Sequence, residues 1–237
     1  MLQGLLFDCD GVLVDTERDG HRPSFNRAFA ECGLSIQWSV QRYGELLTTG
    51  GGKERMVRHF DETGWPVAED ERAGLIRRLH ERKTDLFAEL IRSGVLALRP
   101  GVRSLVDEAI EAELPLAVCS TSNERAVGTL VRTLFGPERA ARVRIFAGDV
   151  VSKKKPDPAI YLLAAGELGI DPGRCVVVED SHIGLSAAKA AGAHCIVTKS
   201  AYTWNEDFRA ADIVVADLTH GIDLAVCRRL VAESLAR

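Results

Sequence analysis

The sequence predicts an α/β protein in which a doubly wound, Rossmann-like parallel sheet forms the core and a helical cap domain is inserted. Two observations support this prediction. Short apolar runs alternate with helical segments after residue 95, whereas residues 17–94 lack strand-like runs and are rich in charged, helix-favouring residues. We therefore assign residues 1–16 and 95–237 to the core domain and residues 17–94 to the cap domain.

The first predicted strand is an apolar run that stops at Asp8, Cys9 and Asp10, followed by Gly11. An apolar run without polar alternation suits a central parallel strand, and glycine allows the chain to turn sharply after it. In open parallel sheets, ligands bind at the carboxyl ends of the strands. Two acids separated by one residue repel each other unless a cation, a proton or a lysine intervenes. The pair predicts metal or acid–base chemistry, although an Asp-rich turn is the simpler alternative.

The inserted segment is expected to form its own helical core. Residues 71–87 favour a helix, and the glycine-rich run at residues 50–52 interrupts the segment. Its apolar residues recur at helical spacing. They are Leu75, Ile76, Leu79, Leu86, Leu90 and Ile91.

The remaining chain alternates between predicted helices and strands. A helix with one apolar face covers residues 102–110, and a strand at residues 116–119 ends in Ser120 and Thr121. Asp157 is expected to cap a helix whose first residue is Pro158. Further strands are predicted at residues 143–146, 175–178, 195–197 and 213–215. Further helices are predicted through residues 126–134, 158–169 and 181–191.

Polar side chains of compatible chemistry follow several of these strands. They are Asp8, Asp10, Ser120, Thr121, Lys155, Glu179 and Asp180. Because the carboxyl ends of parallel strands share one sheet edge, we expect these side chains to converge. Oxygen ligands without histidine or cysteine favour Mg²⁺ over zinc or copper. The alternatives are a solvated charge run for Lys155 and a helix cap for the two hydroxyl residues.

Four short motifs, taken together, resemble those of the haloacid dehalogenase superfamily of phosphotransferases. In order, they are Asp8-Cys9-Asp10-Gly11-Val12, Ser120, Lys155 and Glu179-Asp180. The resemblance covers essentially the whole chain, and the insert lies where the beta-phosphoglucomutase subgroup carries its cap. The sequence is further similar to CbbY-type phosphatases at residues 15–22, 43–47, 50–55 and 98–101, and to their plant and algal branch at residues 136–158.

The resemblance implies a Mg²⁺-dependent phosphatase that removes the C1 phosphate from xylulose-1,5-bisphosphate, an inhibitor of Rubisco. Asp8 is then the nucleophile and Asp10 the general acid and base. It implies phosphate binding by Ser120, Thr121 and Lys155. It implies metal binding by Asp8, Asp10, Glu179 and Asp180.

The cap is expected to close as a lid and to bind the rest of the substrate. A second phosphate needs a second anion site, which the backbone of Gly51 and Gly52 and the side chain of Lys53 provide if a helix starts there. A flexible glycine turn is the alternative. We also expect substrate contacts from Glu17, His21, Arg42, Tyr43 and Asn123. Each of these has an ordinary structural alternative, such as a surface charge for Arg42 and a core aromatic for Tyr43.

Composition limits the partners and the location. The net charge of −4 argues against nucleic-acid binding. No apolar stretch approaches the ~20 residues that a membrane helix needs. The six scattered cysteines fit a reducing compartment. We expect a soluble monomer, and the resemblance implies the chloroplast stroma, with no transit peptide on this chain.

Three other functions remain open at this stage. A sugar phosphomutase uses the same core but returns the phosphoryl group to the sugar. A general small-sugar phosphatase accepts many substrates. A non-catalytic partner of the carbon-fixation machinery would keep the fold for binding, although such a protein has no need for Asp8, Asp10, Lys155 and Asp180 in one cleft.

Overall fold

The computed structural model describes residues 1–49 and 51–235 and contains a six-stranded parallel sheet. The strand order across the sheet is β3-β2-β1-β4-β5-β6. The strands are β1 (Gly4–Phe7), β2 (Leu116–Ser120), β3 (Val143–Ala147), β4 (Cys175–Glu179), β5 (His194–Thr198) and β6 (Ile213–Val215). The predicted doubly wound parallel sheet is therefore confirmed. Gly50, part of the glycine-rich run, lies outside the described residues.

Strand β1 occupies the centre of the sheet, where the strand order reverses. Leu5 pairs with Leu116 of β2 on one side and with Val176 of β4 on the other. The chain fills one side of the sheet with β2 and β3 before it crosses to β4. The carboxyl ends of β1 and β4 thus flank the topological switch point, which is where such sheets bind ligands.

The helices, numbered in chain order, fall into two groups. The inserted segment contains α1 (Arg22–Glu31), α2 (Val40–Leu46), α3 (Gly52–Thr63) and α4 (Arg72–Arg92). The sheet is accompanied by α5 (Val102–Glu111), α6 (Glu124–Ala140), α7 (Ala159–Leu168), α8 (His182–Ala190) and α9 (Leu224–Leu235). Throughout the two described ranges, no helix combines the length and the apolar character that a membrane crossing requires.

Short polar side chains define the starts of the helices that follow β2 and β4. Asn123 accepts the N–H groups of Arg125 and Ala126 at the start of α6. The Ser181 hydroxyl accepts the Gly184 N–H at 3.1 Å at the start of α8. These caps satisfy amide groups that have no partner within the helix.

Helix α7 begins one residue later than predicted. Pro158 flanks the helix instead of forming its first residue, and the carboxylate of Asp157 accepts the Ala159 N–H at 3.0 Å. The polar turn at Asp157 is therefore present, but its hydrogen bond goes to the first helical residue. This helix matters for the site because it directly follows the loop that contains Lys155.

The chain separates into two compact units: residues Met1–Asp15 with Leu96–Arg237, and residues Thr16–Val95. The second unit has a core of aromatic side chains from α1 to α3, including Phe25, Trp38 and Phe60. The predicted apolar positions of α4 are buried except Leu90, which is half-buried. Whether this unit closes as a lid stays a prediction.

Candidate functional site

Three carboxylates meet where β1 and β4 end. Asp8 directly follows β1, Glu179 is the last residue of β4, and Asp180 comes next. One carboxylate oxygen from each lies within 4.8 Å of the others, and all three residues are buried. The backbone fixes this arrangement, since the Asp8 N–H donates to the Val178 carbonyl at 2.9 Å. The sheet thus brings together the first and last of the sequence motifs.

The ammonium group of Lys155 lies between two of these acids. Its Nζ atom is 2.6 Å from Asp8 Oδ1, 2.6 Å from Glu179 Oε1 and 3.0 Å from the Cys119 carbonyl oxygen. Only 7% of the Lys155 side chain is exposed, whereas Lys153 is 77% exposed. Lys155 is therefore a buried counter-ion and not part of a solvated charge run.

Both carboxylate oxygens of Glu179 accept several hydrogen bonds. Oε1 accepts from Lys155 and from the Tyr161 hydroxyl, each at 2.6 Å. Oε2 accepts the Asp180 N–H at 3.0 Å and the Ser181 hydroxyl at 3.2 Å. Glu179 thus serves first as the counter-ion of Lys155. Its predicted role as a metal ligand stays a prediction.

The buried charges shift the pKa values of the acids in opposite directions. Burial raises the pKa of Asp8 to about 7, against the opposing charge of Lys155. Burial and the neighbouring carboxylates raise the pKa of Asp180 well above its usual value. Burial also acts to raise the pKa of Glu179, but Lys155 and the hydrogen bonds to the carboxylate hold it below its usual value. A cation among these groups would favour the ionised form of Asp8 and Asp180.

Asp10 is oriented by hydroxyl groups at the end of β2 and just after it. Ser122 donates to Asp10 Oδ2 at 2.5 Å, and the Ser120 hydroxyl lies 3.5 Å from the same atom. Ser122 was not among the predicted site residues, although it belongs to the same run of small hydroxyl residues as Ser120 and Thr121. Thr121 itself is exposed. Ser120 and Ser122 therefore hold the carboxylate that was predicted to act as the general acid and base, and phosphate binding by Ser120 and Thr121 stays a prediction.

Gly11 allows the turn after β1 to approach Asp180 closely. Its φ is +82°, and a Cβ atom at this position would lie 2.0 Å from Asp180 Oδ2. The Gly11 carbonyl accepts a hydrogen bond from Arg99, in the segment that leads into α5. Gly11 and Arg99 together fix the turn that carries Asp10.

Two of the predicted substrate-binding residues meet in the second unit. The Tyr43 hydroxyl donates to Glu17 at 2.6 Å, and Arg55 donates to the Tyr43 oxygen at 3.2 Å. Arg42 does not join them, because its guanidinium pairs with Glu45 and Glu62. The direction of Arg42 could not be seen from the sequence, since neighbouring helix positions differ by about 100°.

His21 contacts Lys83, a buried lysine that was not among the predicted site residues. Its Nδ1 atom lies 2.9 Å from Lys83 Nζ, and its ring centroid lies 3.9 Å from that of Phe87. Burial, with Lys83 and Arg55 nearby, holds the pKa of His21 well below its usual value, so the ring is neutral. Lys83 lies in α4, a helix with several basic residues. The sequence therefore contained no signal that distinguished Lys83 from the others.

The glycine-rich run leads into the first turn of α3. Gly51 flanks the helix with a φ of +88°, Gly52 is its first residue, and the Lys53 side chain is exposed. This is the helix start that the anion-site prediction required. Asn123, the remaining predicted contact, caps α6 in the first unit.

Comparisons with known proteins agree with this geometry. Residues 2–192 match the family model of the haloacid dehalogenase-like hydrolases. The chain belongs to this family. It is 59% identical to a CBBY-like protein of Arabidopsis thaliana over 97% of this chain and 74% of that protein. It is 44% identical to protein CbbY of Cereibacter sphaeroides over 90% of each chain.

A solved structure is also similar to this chain. The crystal structure of a CbbY mutant from Rhodobacter sphaeroides in complex with xylulose-(1,5)bisphosphate superimposes with a TM-score of 0.77, at 41% identity over 95% of this chain and 98% of that one. The haloacid dehalogenase-like chain described here is therefore a CbbY-like phosphatase, as its motifs predicted.

Proposed function

We propose that this phosphatase hydrolyses the C1 phosphate of xylulose-1,5-bisphosphate in a Mg²⁺-dependent reaction that releases xylulose 5-phosphate. The observation that best supports phosphoryl transfer is the contact of Lys155 with both Asp8 and Glu179. Asp180 lies in the same cluster of acids. The choice of substrate is supported by similarity to the CbbY that was crystallised with this bisphosphate. A chloroplast location, the clearing of a Rubisco inhibitor and a monomeric state stay predictions.

The acid cluster has the chemistry of a Mg²⁺ site. Asp8 and Asp180 offer buried carboxylate oxygens, which are the hard ligands that Mg²⁺ prefers. Asp10 and Glu179 complete the proposed set. A divalent cation bound here supplies positive charge to the phosphoryl oxygens.

We propose that Asp8 is the nucleophile and becomes an aspartyl phosphate. Lys155 holds one oxygen of Asp8 in place and balances the charge that develops on the phosphoryl group. Asp10, held by Ser122, then gives a proton to the leaving sugar oxygen and later takes one from the attacking water. Ser120 and Thr121 supply further donors to the phosphate.

We propose that the inserted unit binds the sugar and its second phosphate. Glu17 and His21 are polar groups of the size and type that bind sugar hydroxyls, and both are held by neighbours. Lys53 and the amide groups of Gly51 and Gly52 provide an anion site at the start of a 12-residue helix. Arg42 is the predicted residue with the least support for substrate binding, because its guanidinium already pairs with Glu45 and Glu62.

The test compares substrates and products. Xylulose-1,5-bisphosphate and a panel of sugar monophosphates are incubated with the enzyme in Mg²⁺ or in EDTA. We expect fastest release of inorganic phosphate from the bisphosphate, and loss of release in EDTA that added Mg²⁺ restores. Isomerised sugar phosphate without net phosphate release would identify a mutase instead. Undiminished release by Asp8→Asn would overturn the proposed nucleophile.

A further inference from the structure

The Tyr161 hydroxyl is a part of the site that the proposed reaction does not yet use. Tyr161 lies in the first turn of α7, six residues after Lys155, and only 1% of it is exposed. Its hydroxyl donates to Glu179 Oε1 at 2.6 Å. Its ring centroid lies 4.8 Å from Lys155 Nζ, so the same side chain contacts both members of the ion pair.

The chemistry of the surroundings fixes the direction of this hydrogen bond. Burial, together with the nearby Glu179 charge, raises the pKa of Tyr161 well above its usual value, so the phenol keeps its proton. Glu179 is an ionised carboxylate and accepts. A fully buried phenol requires a partner, and a charged acceptor makes the stronger kind of hydrogen bond.

The Glu179 carboxylate is confined from three sides. The Asp180 N–H and the Ser181 hydroxyl hold Oε2. Gly184 leaves room for the group, because a Cβ atom there would lie 1.9 Å from the Glu179 carboxyl carbon. The terminal torsion of a glutamate is otherwise broad, so the donors to each oxygen decide its orientation. On the Oε1 side, the donors are Tyr161 and Lys155.

We propose that Tyr161 is a positioning residue for phosphoryl transfer, whose hydroxyl fixes Glu179 so that Glu179 in turn holds the Lys155 ammonium against Asp8. The inference rests on the proposed roles of Asp8 and Lys155. Without the hydroxyl, Lys155 becomes the only side-chain donor to Oε1 among the described residues 1–49 and 51–235. The carboxylate then shifts toward the ammonium, and the contact between Lys155 and Asp8 loosens.

The first test is Tyr161→Phe, which keeps the ring, its packing and its contact with Lys155. We expect kcat/KM for phosphate release to fall about tenfold, as for the loss of one hydrogen bond to a charged group in an active site. Val131→Ala is the control for lost stability, since Val131 is a fully buried apolar residue of α6. At a temperature where both variants are folded, Val131→Ala should keep the activity of the unmodified enzyme.

The second test is a double-mutant cycle with Glu179→Gln. If Tyr161 acts through Glu179, adding Tyr161→Phe to Glu179→Gln should lower kcat/KM by no more than about twofold further. Should Glu179→Gln fall below detection, the same cycle is measured on the dissociation constant of inorganic phosphate by calorimetry. Additive losses, or an unchanged Tyr161→Phe enzyme, would overturn the inference.

The two proposals fail in distinguishable ways. If Tyr161→Phe has normal activity while Asp8→Asn is inactive, only the proposed role of Tyr161 is refuted. An active Asp8→Asn removes the proposed mechanism itself.

Discussion

The guanidinium group of Arg99 donates a hydrogen bond to the main-chain carbonyl oxygen of Gly11. The same group donates to the carbonyl oxygens of Thr198, Lys199 and Ala216, the last two at 2.7 Å. One side chain therefore joins the turn after β1 to the segments that follow β5 and β6. This turn carries Asp10, and the residue that holds its Gly11 carbonyl lies 88 positions further along the sequence.

Arg99→Lys should lower the free energy of unfolding by about 1–3 kcal/mol, because one ammonium cannot reach all the carbonyl groups that the planar guanidinium serves. Urea unfolding measures the change. Arg228→Lys is the matched control, since Arg228 is exposed on α9; its effect should stay within about 0.5 kcal/mol. Equal effects of the two substitutions would contradict the role of Arg99.

Lys155→Met should lower kcat by about 10²-fold or more, because the substitution removes the charge that lies against Asp8 and that is proposed to balance the phosphoryl group. It also leaves Glu179 as a buried charge without its cation, so stability should fall by about 3–5 kcal/mol. Steady-state kinetics and chemical unfolding measure the two effects. Lys153→Met, at the exposed neighbouring lysine, should change neither; a comparable loss there would point to general charge effects.

Gly11→Ala should abolish most phosphate release and destabilise the fold. The new Cβ atom would overlap Asp180 Oδ2, in addition to the strain of a side chain at positive φ. Gly33→Ala separates the two causes, because Gly33 has a φ of +76° but open space around it. Gly33→Ala should lower the free energy of unfolding by only about 1–2 kcal/mol and leave kcat unchanged. Similar kinetic effects at both positions would show that the approach to Asp180 is not the reason.

The stability of the first unit should fall in acid partly through Asp212. Burial acts to raise the pKa of this carboxyl, but the Lys189 ammonium at 2.8 Å and the Cys195 N–H at 2.7 Å bring it below its usual value. A lowered pKa means that this contribution is complete above the unfolded-state pKa of about 4 and is lost as the pH falls through the folded-state value.

Asp212→Asn should therefore be less stable than the unmodified protein at pH 7, by about 1 kcal/mol. The difference should shrink as the pH falls below about 4. Urea unfolding from pH 3 to pH 7 measures both proteins. A difference that stays constant with pH would show that the charge of Asp212 does not contribute.

The sequence predicted the fold and the convergence of Asp8, Lys155, Glu179 and Asp180, because the carboxyl ends of adjacent parallel strands must share one edge. This prediction needs only a parallel sheet, with the acids at the ends of their strands and Lys155 in the loop before a helix. The apolar face of α4 followed in the same way from helical spacing. Local periodicity and topology are therefore sufficient for the main features of the site.

The supporting contacts could not be predicted in this way. The side chains of Tyr161, Arg99 and Lys83 make contacts that cross between elements. Their partners depend on rotamers and packing that no local pattern encodes. Arg42 was expected to contact the substrate, with a surface charge as the alternative, and its direction is set by Glu45 and Glu62 on the same unit. A sequence pattern gives the residue type and the element, whereas the partner depends on the packed structure.

Lys155 and Asp8 lie 147 positions apart in the chain. The proposed catalytic pair is therefore assembled from the end of the first strand and from a loop in the second half of the protein, with the inserted unit between them in sequence. Contacts of such high sequence separation form only when the folded sheet brings both segments together. Recovery of phosphatase activity after dilution from denaturant thus reports that the core has folded completely. A fragment that ends before residue 155 should have no phosphatase activity, even where its helices form.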